Sequence, residues 1–474
     1  MKEELIRESG QPENTRQSIL TEERKETWKS YLMLAIYVTY KLSYGFNVLY
    51  VQPIARSMKK AYDIKDSDLS ILLTVGSTSS SLVFLPLTYL VVMKGVKISC
   101  LVGLFLLTLG TIVELFIGEE WNLIYIGHFI THAGSPVFGF SGAKFCSIWF
   151  SPKNRPLALT LTSIMATVGV LLAFIVPGLI VNYNANLTPE NIQDQVRNFH
   201  IFLLCVYGGQ FLVTLLFFEE APENYVTYEE EEIAIRKDFQ VFRQIFDLVQ
   251  HPAYILFVVV IGLGVAAASI NQLIIVQIMY PFHYSQQICQ IAGAIMVLGG
   301  VIGSVGYAKT LIHLPNQLRK LCIICMLILM AYTLFSYLPR LENNACLFTA
   351  CFVLGFFGLM QVSIAVESLV KYIILTGPQR LVIGTGVTQV MLSMSNGILS
   401  YIIKDFIMEG SAEGVAKVNI TIMAALTLSF ILAMFLRWTF EIRLKTILSE
   451  KTQVDADTRQ KMAKSLAGDG KINS

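Results

Sequence analysis

Apolar stretches of about 20 residues recur along almost the whole chain, and a run of that length leaves few folds open, because it matches the hydrocarbon thickness of a bilayer. In the first half they lie near 30–54, 68–93, 97–117, 121–149, 156–182 and 198–218. In the second half they lie near 252–280, 286–312, 319–338, 344–371, 378–404 and 417–437. The pattern predicts an all-α polytopic membrane protein, with twelve transmembrane helices in two six-helix halves. Composition agrees. Of the 474 residues 54% are hydrophobic and 15% charged, where an ordinary soluble protein has about 25% charged, and mean hydropathy is +0.58. A soluble enzyme is excluded. So is nucleic-acid binding as a main role, since the net charge is +2 and no basic face is available.

The runs divide the chain into an N-terminal tail (1–28), a first bundle (29–218), a central loop (219–251), a second bundle (252–438) and a C-terminal tail (439–474). The first 28 residues are polar and contain no cleavable apolar segment, so the first membrane helix is expected to serve as the targeting signal. In the central loop, Ile233, Ile235, Phe239, Phe242, Ile245 and Phe246 have helical spacing after an acidic run. That stretch reads either as an amphipathic interfacial helix or as a solvated linker. All eight cysteines sit in or beside apolar segments, which argues for packing rather than a disulfide framework; the Cys322/Cys325 pair is read the same way.

Lysine and arginine placement orients the chain. With the N-terminus in the cytosol, Lys94, Lys97, Lys153, Arg155, Arg236, Lys237, Arg243, Lys309, Arg319, Lys320, Lys371 and Arg380 all fall inside, with both tails. The first loop runs against the rule, carrying Arg56, Lys59, Lys60 and Lys65 on the outer side. The two N-x-[ST] sequons, at Asn186 and Asn419, fall on the outer or lumenal side in this topology.

Polar groups at bilayer depth are expensive and should face a cavity or a partner. The first span carries Lys41, Tyr44, Asn47 and Tyr50. The fourth carries His128 and His132, one turn apart on one face, with Ser135 continuing it. Asn271, Gln272 and Gln277 lie in the seventh, Gln361 and Glu367 in the tenth, and Gln389, Ser393 and Asn396 in the eleventh. Glu114, near the end of the third span, reads as exposed to headgroup water, and Glu367 with Lys371 as an i, i+4 pair. The histidine pair reads as satisfied structural groups, as proton-sensitive lining or as metal ligands, but no carboxylate or thiolate supports it on its own helix. Trp28, Trp121, Trp149 and Trp438 all lie at span ends, as an aromatic belt would place them. Gly299 and Gly303 form a GxxxG that permits close helix contact.

Six helices plus six around a hydrophilic loop is the plan of the major facilitator fold. The segment Lys144-Phe-Cys-Ser-Ile-Trp-Phe-Ser-Pro-Lys-Asn-Arg155 resembles the Arg-x-x-Ser-x-Trp-Phe segment of the feline leukaemia virus subgroup C receptor-related transporters, which belong to the major facilitator superfamily. Val176–Pro177, Asn271–Gln272 and Val366–Glu367 are similar to that family's residues at the same places, and the resemblance spans about 28–440. It implies facilitated or secondary transport of a choline, ethanolamine, haem or vitamin-like solute. This chain departs from the choline-transporting members: Val48 stands where they have Trp, Ser135 where they have Gln, and Met394 near a second Gln. In the loop motif between spans two and three Val92 stands where the superfamily has Asp, and Ile312 takes the corresponding place in the second half.

The reading is therefore a transporter of a small organic solute by alternating access, its cavity lined by spans 1, 4, 7, 10 and 11. The substrate-binding candidates are Lys41, Tyr44, Asn47, His128, His132, Asn271, Gln272, Gln277, Gln361 and Gln389. Lys41 would attract an anionic group or act as a switch charge, and the amides would orient the solute by hydrogen bonding. The partners expected are solute and bilayer, with no nucleic acid, cofactor or metal, in a monomeric multi-pass protein of the plasma membrane or an endomembrane with both termini cytosolic. The alternative is a non-transporting receptor or sensor that recruits partners through the central loop or the C-terminal tail. No HExxH, no GxSxG with a triad and no carboxylate cluster points to an enzyme.

Overall fold

The chain is described from a computed structural model, which covers residues 26–118, 120–151, 153–182, 186–222, 246, 250, 252–310, 317–376, 381–408 and 411–437. Most of the central segment read as an interfacial helix, Trp438 and the C-terminal tail lie outside the described residues, as do the side chains of Glu367 and Lys371.

The described residues form helices and no strands. Span 1 is α1 (Trp28–Asn47), followed by a 3-10 turn (Gln52–Ile54) and the short α2 (Ala55–Tyr62). Spans 2 and 3 are α3 (Asp66–Lys94) and α4 (Val96–Glu114). Span 4 is built from three pieces: α5 (Asn122–Gly134), α6 (Pro136–Phe140) and α7 (Gly142–Trp149). Spans 5 and 6 are α8 (Arg155–Ile180) and α9 (Pro189–Phe217). The second half contributes α10 (Pro252–Ile278), α11 (Gln286–Thr310), α12 (Gln317–Tyr337), α13 (Asn344–Thr376), α14 (Leu381–Met408) and α15 (Ala412–Arg437).

Nine helices among the described residues are individually long and apolar enough to cross a membrane. The three that complete the twelve are α1, the broken fourth span and α14. These carry Lys41 and Asn47, His128 and His132, and Gln389 and Asn396.

Local chemistry explains the boundaries. Thr188 caps α9, its hydroxyl accepting from Asn191 N–H at 3.4 Å, with Pro189 at the first helical position. Asp66 and Asp68 open α3, where negative charge suits the helix dipole. The fourth span breaks at Pro136, whose ring cannot continue the preceding hydrogen-bond ladder, and again at Ser141. Between α3 and α4 the chain turns on Gly95 at φ +92°, and a Cβ there would lie 2.3 Å from the Glu220 carboxylate. That carboxylate closes the start of α4, accepting from Val96 N–H (2.7 Å) and Lys97 N–H (2.6 Å).

Helices approach closely where glycine allows it. A Cβ at Gly45 would lie 1.8 Å from the Ala166 carbonyl oxygen, and one at Gly169 2.0 Å from that of Leu42, so spans 1 and 5 meet backbone to backbone. The GxxxG at Gly299 and Gly303 does the same for span 8, facing the Phe352 and Phe356 carbonyls of span 10. The halves join along two seams, span 2 on span 11 and span 5 on span 8. Outward side chains such as Leu157, Leu179 and Leu216 are exposed, as a lipid-facing surface requires.

The aromatic-belt reading holds poorly for Trp149, which is 1% exposed and packed inside the first half. Glu114 is a larger correction. It is completely buried, not exposed to headgroup water.

Candidate functional site

Lys41 is buried, and its ammonium donates to the Gly139 carbonyl at 2.9 Å, beside the break in span 4. Gly142 across that break leaves room for it, since a Cβ there would come within 3.4 Å of Nζ. Tyr37, one turn earlier, hydrogen-bonds Ser141 Oγ at 2.7 Å and stacks on Phe145 at 4.3 Å. No carboxylate of the described residues pairs with Lys41. Tyr44 is half-buried, its ring next to Gly139. Asn47 is buried, and neither of its side-chain polar atoms has a protein partner.

His128 and His132 stack at 4.2 Å between ring centroids and belong to a cluster that draws on four elements. Tyr50, in the turn after α1, donates to Glu114 Oε1 at 2.8 Å, and its oxygen lies 3.2 Å from His128 Nδ1. Glu114 lies 3.7 Å from His128 Nδ1 through Oε1 and 3.5 Å from His200 Nε2 through Oε2. Gly127 makes the space for the glutamate, as a Cβ there would sit 2.5 Å from Glu114 Cγ. His132 packs on Gly76 of span 2, contacts the backbone of Asn47, and keeps Nε2 unpartnered. The supporting carboxylate absent from the histidines' own helix thus comes from span 3. Glu114 and His200 are site residues that one-helix reasoning misses; the only signal was an ionisable residue inside each of two apolar runs. Among the described residues no group of three His, Cys, Asp or Glu side chains is placed to hold a metal ion.

In the second half Asn271 is buried, its Nδ2 turned back to the Ala267 carbonyl at 3.0 Å and its Oδ1 unpartnered. Gln277 is 7% exposed with both polar atoms unpartnered, while Gln272 and Gln389 are half-buried. Gln361 lies elsewhere. Its amide nitrogen is 3.6 Å from Cys325 Sγ, and it packs on Gly264 beside Ser429, among spans 7, 9 and 12. Ser269 donates to Asn396 Oδ1 at 2.9 Å, tying span 7 to span 11.

The end of the bundle that carries the first loop is closed between the halves. Gln286 hydrogen-bonds Ser57 through both amide atoms, at 3.3 Å to the backbone N–H and 3.2 Å to Oγ. Gln290 donates to the Pro53 carbonyl at 2.9 Å, and the Arg56 guanidinium lies 4.8 Å from the Tyr280 ring centre. The basic first loop that ran against the charge rule is therefore spent partly on this closure. A recess of about 270 Å³ beside it is lined by Arg56, Lys59, Lys60 and Gln277, among others.

At the other end, Lys144 donates to the Val91 and Val92 carbonyls at 2.8 and 3.2 Å, at the position where the superfamily motif has Asp. Glu26 accepts from Ser151 N–H, Ser151 Oγ and Asn154 Nδ2 at 3.2, 2.6 and 2.8 Å, pinning the chain ahead of α1 to the 4–5 turn. Burial pushes its carboxyl up, but the hydrogen bonds from Ser151 and Asn154 outweigh that and hold it below 4.5.

A sequence profile of the Major Facilitator Superfamily matches residues 33–400, and the chain belongs to that family. Among curated relatives it is 23% identical over 265 residues to solute carrier family 49 member A3 of Danio rerio, covering 53% of this chain and 52% of that protein. It is 19% identical over 348 residues to the choline/ethanolamine transporter FLVCR1 of Mus terricolor, covering 69% and 62%. The chain thus spans about half to three fifths of the length of these relatives, and both support the resemblance to the feline leukaemia virus receptor-related branch. Among solved structures, a bacterial homologue of the lysosomal transporter Spinster, inward-facing and occupied, superposes with TM-score 0.65 at 12% identity over 88% of this chain and 98% of that one. A D-xylose–proton symporter gives 0.62 at 11% over 86% and 97%. Likeness at that identity establishes the fold alone: this is a major facilitator architecture.

Proposed function

We propose that the chain moves a small organic solute across a membrane by alternating access, with both termini cytosolic and the first-loop end outside or lumenal. The observation that carries the reading is the set of buried amide atoms without protein partners, both those of Asn47 and of Gln277 and the Oδ1 of Asn271, on the first helix of each half. A buried polar group left unpaired costs about 1–3 kcal/mol, and a bundle built for stability alone has no reason to keep several. A solute that donates and accepts hydrogen bonds supplies what they lack. Tyr44, Gln272 and Gln389, half-buried on spans 1, 7 and 11, extend the same lining.

Lys41 adds a positive charge to the first half with no carboxylate beside it, which favours a solute carrying an anionic or electron-rich group. Val48 and Ser135 supply neither the Trp nor the Gln of the choline-transporting members. Choline and ethanolamine, the substrates in a relative's name, enter the test as two candidates among several.

The test is a thermal-shift screen of the purified protein with choline, ethanolamine, pyridoxine, nucleosides, amino acids and haem, followed by uptake of each stabilising solute into proteoliposomes. A site ligand at 100 times its Kd stabilises by about 2.7 kcal/mol. The reading expects at least one hit whose uptake falls in Asn47→Ala and Asn271→Ala. Uptake that both variants leave at the wild-type level contradicts the site.

A further inference from the structure

The hydrogen bonds of the buried cluster on spans 3, 4 and 6 do not close without one more proton. His200 Nδ1 lies 2.9 Å from the Val196 carbonyl, which can only accept, so Nδ1 carries hydrogen. In a neutral imidazole Nε2 is then a bare lone pair. That lone pair faces Glu114 Oε2 at 3.5 Å, and neither atom has another partner. A second lone pair facing it at 3.5 Å repels it, and that separation leaves no room for a molecule between the two atoms. On the other carboxylate oxygen the single Tyr50 proton is already given to Oε1. The contact between Tyr50 and His128 Nδ1 must therefore be donated by the histidine. With the Tyr50, His128 and His200 protons so assigned, the Glu114–His200 contact is one proton short.

We infer that the Glu114 Oε2–His200 Nε2 contact is a proton-binding site, and that filling and emptying it is coupled to the transport cycle. The reaction is simple: one H+ from water joins the contact between Glu114 Oε2 and His200 Nε2, and returns to water on release. The groups facing it are Tyr50 from the turn after span 1, His128 from span 4, and His200 and Tyr207 from span 6, with His132 stacked behind His128. No lysine, arginine or aspartate of the described residues pairs with Glu114, so nothing else there balances its charge.

Two physical connections join the site to the moving parts. Tyr50 lies three residues before Pro53 and seven before Ser57, which hold Gln290 and Gln286 of the other half. Deprotonating the pair strengthens Tyr50's bond to Glu114 and protonating it weakens that bond, so the closure at the first-loop end feels the proton directly. The second connection runs from His128 through His132 to Gly76 on span 2, the helix whose Thr74 and Ser81 lie against the Gly397 and Val390 carbonyls of span 11.

This rests on the transporter reading, so the experiment is arranged to separate the two. In purified full-length protein without solute, infrared difference spectra across a pH titration should show the carbonyl band of a buried carboxylic acid or an imidazolium signature, lost in Glu114→Gln. Spin labels at Lys65→Cys and Gln287→Cys, exposed on the two halves at the first-loop end, should report a pH-dependent distance distribution. Glu114→Gln and His200→Gln should abolish that dependence, and Glu114→Asp should restore it in part. If a variant fails to fold, Tyr50→Phe serves in its place: it should abolish the pH-dependent distances and keep the spectral change, because it cuts the connection and leaves the proton site. In proteoliposomes with any solute found to be transported, accumulation should rise about tenfold per pH unit of imposed gradient for one proton per cycle, and Glu114→Gln should remove that dependence on the gradient. Spectra and distances that ignore pH, or that Glu114→Gln leaves unchanged, overturn the proton site even if solute is carried. PH-dependent spectra and distances with no flux of any solute keep the proton site and overturn the transporter reading.

Discussion

Replacing Gly45 by alanine tests whether spans 1 and 5 touch through their backbones. The added methyl would stand 1.8 Å from the Ala166 carbonyl oxygen, about 1.6 Å short of the 3.4 Å at which ordinary contact begins. A carbonyl inside a helix cannot swing aside as a side-chain tip can, so the helices must separate. Overpacking of this kind costs about 1–3 kcal/mol, while alanine in place of glycine returns about 0.5–1 kcal/mol of helix propensity. The propensity effect is isolated by Gly209→Ala, where a Cβ meets nothing within 4 Å. The two variants should therefore differ by about 1–3 kcal/mol in the direction of a weaker Gly45→Ala. Gly169→Ala, which meets the Leu42 carbonyl at 2.0 Å, should behave like Gly45→Ala. Adding the second change to the first should cost less than their sum, because one separation relieves both. Thermal unfolding in detergent, followed by circular dichroism, gives the order directly. A Gly45→Ala protein as stable as Gly209→Ala would refute the close crossing.

Three further outcomes follow from the same geometry. Asn47→Ala removes a buried amide with no protein partner, and Asn271→Ala one whose Oδ1 has none and whose Nδ2 only returns to its own helix, so thermal stability should hold or rise while transport falls; a loss of stability of 1 kcal/mol or more would mean that the amides are structural. Gln286→Ala together with Gln290→Ala deletes the bonds to Ser57 and Pro53, each worth about 0.5–1.5 kcal/mol, and should shift label distances at the first-loop end toward the open state by about tenfold in population or more. Glu26 holds Ser151 and Asn154 with a carboxyl lowered below 4.5. Its contribution is present above that value and is lost as pH falls through the lowered one; limited proteolysis ahead of Trp28 should quicken in that acid range, and in Glu26→Ala at every pH.

Much of the fold was legible because bilayer-length apolar runs permit little besides helices. Pro136 accounts for the first break in span 4, but nothing in the sequence marks the second break at Ser141. The candidate site was legible only as a set of expensive residues. Lys41 stood out as a buried charge, but its partner is the Gly139 carbonyl beside a helix break, and a backbone acceptor leaves no trace in composition. Glu114 near the end of a span looks like a headgroup-facing acid until His128 and His200 arrive from two other helices. Gln361 looked like lining, yet it packs on Gly264 because a glycine one helix away vacates that space. In each case the deciding neighbour is far off in the chain, and periodicity along one helix cannot supply it.

The central claim is that this chain carries a solute and is not merely a receptor, and exchange across a membrane tests it most directly. Proteoliposomes loaded with an unlabelled stabilising solute are mixed with the same solute radiolabelled outside. Label should accumulate transiently above equilibrium, an effect abolished by Asn47→Ala with Asn271→Ala and unaffected by removal of residues 441–474. Label that never exceeds the level in empty liposomes, for every solute that stabilises the protein, would contradict it.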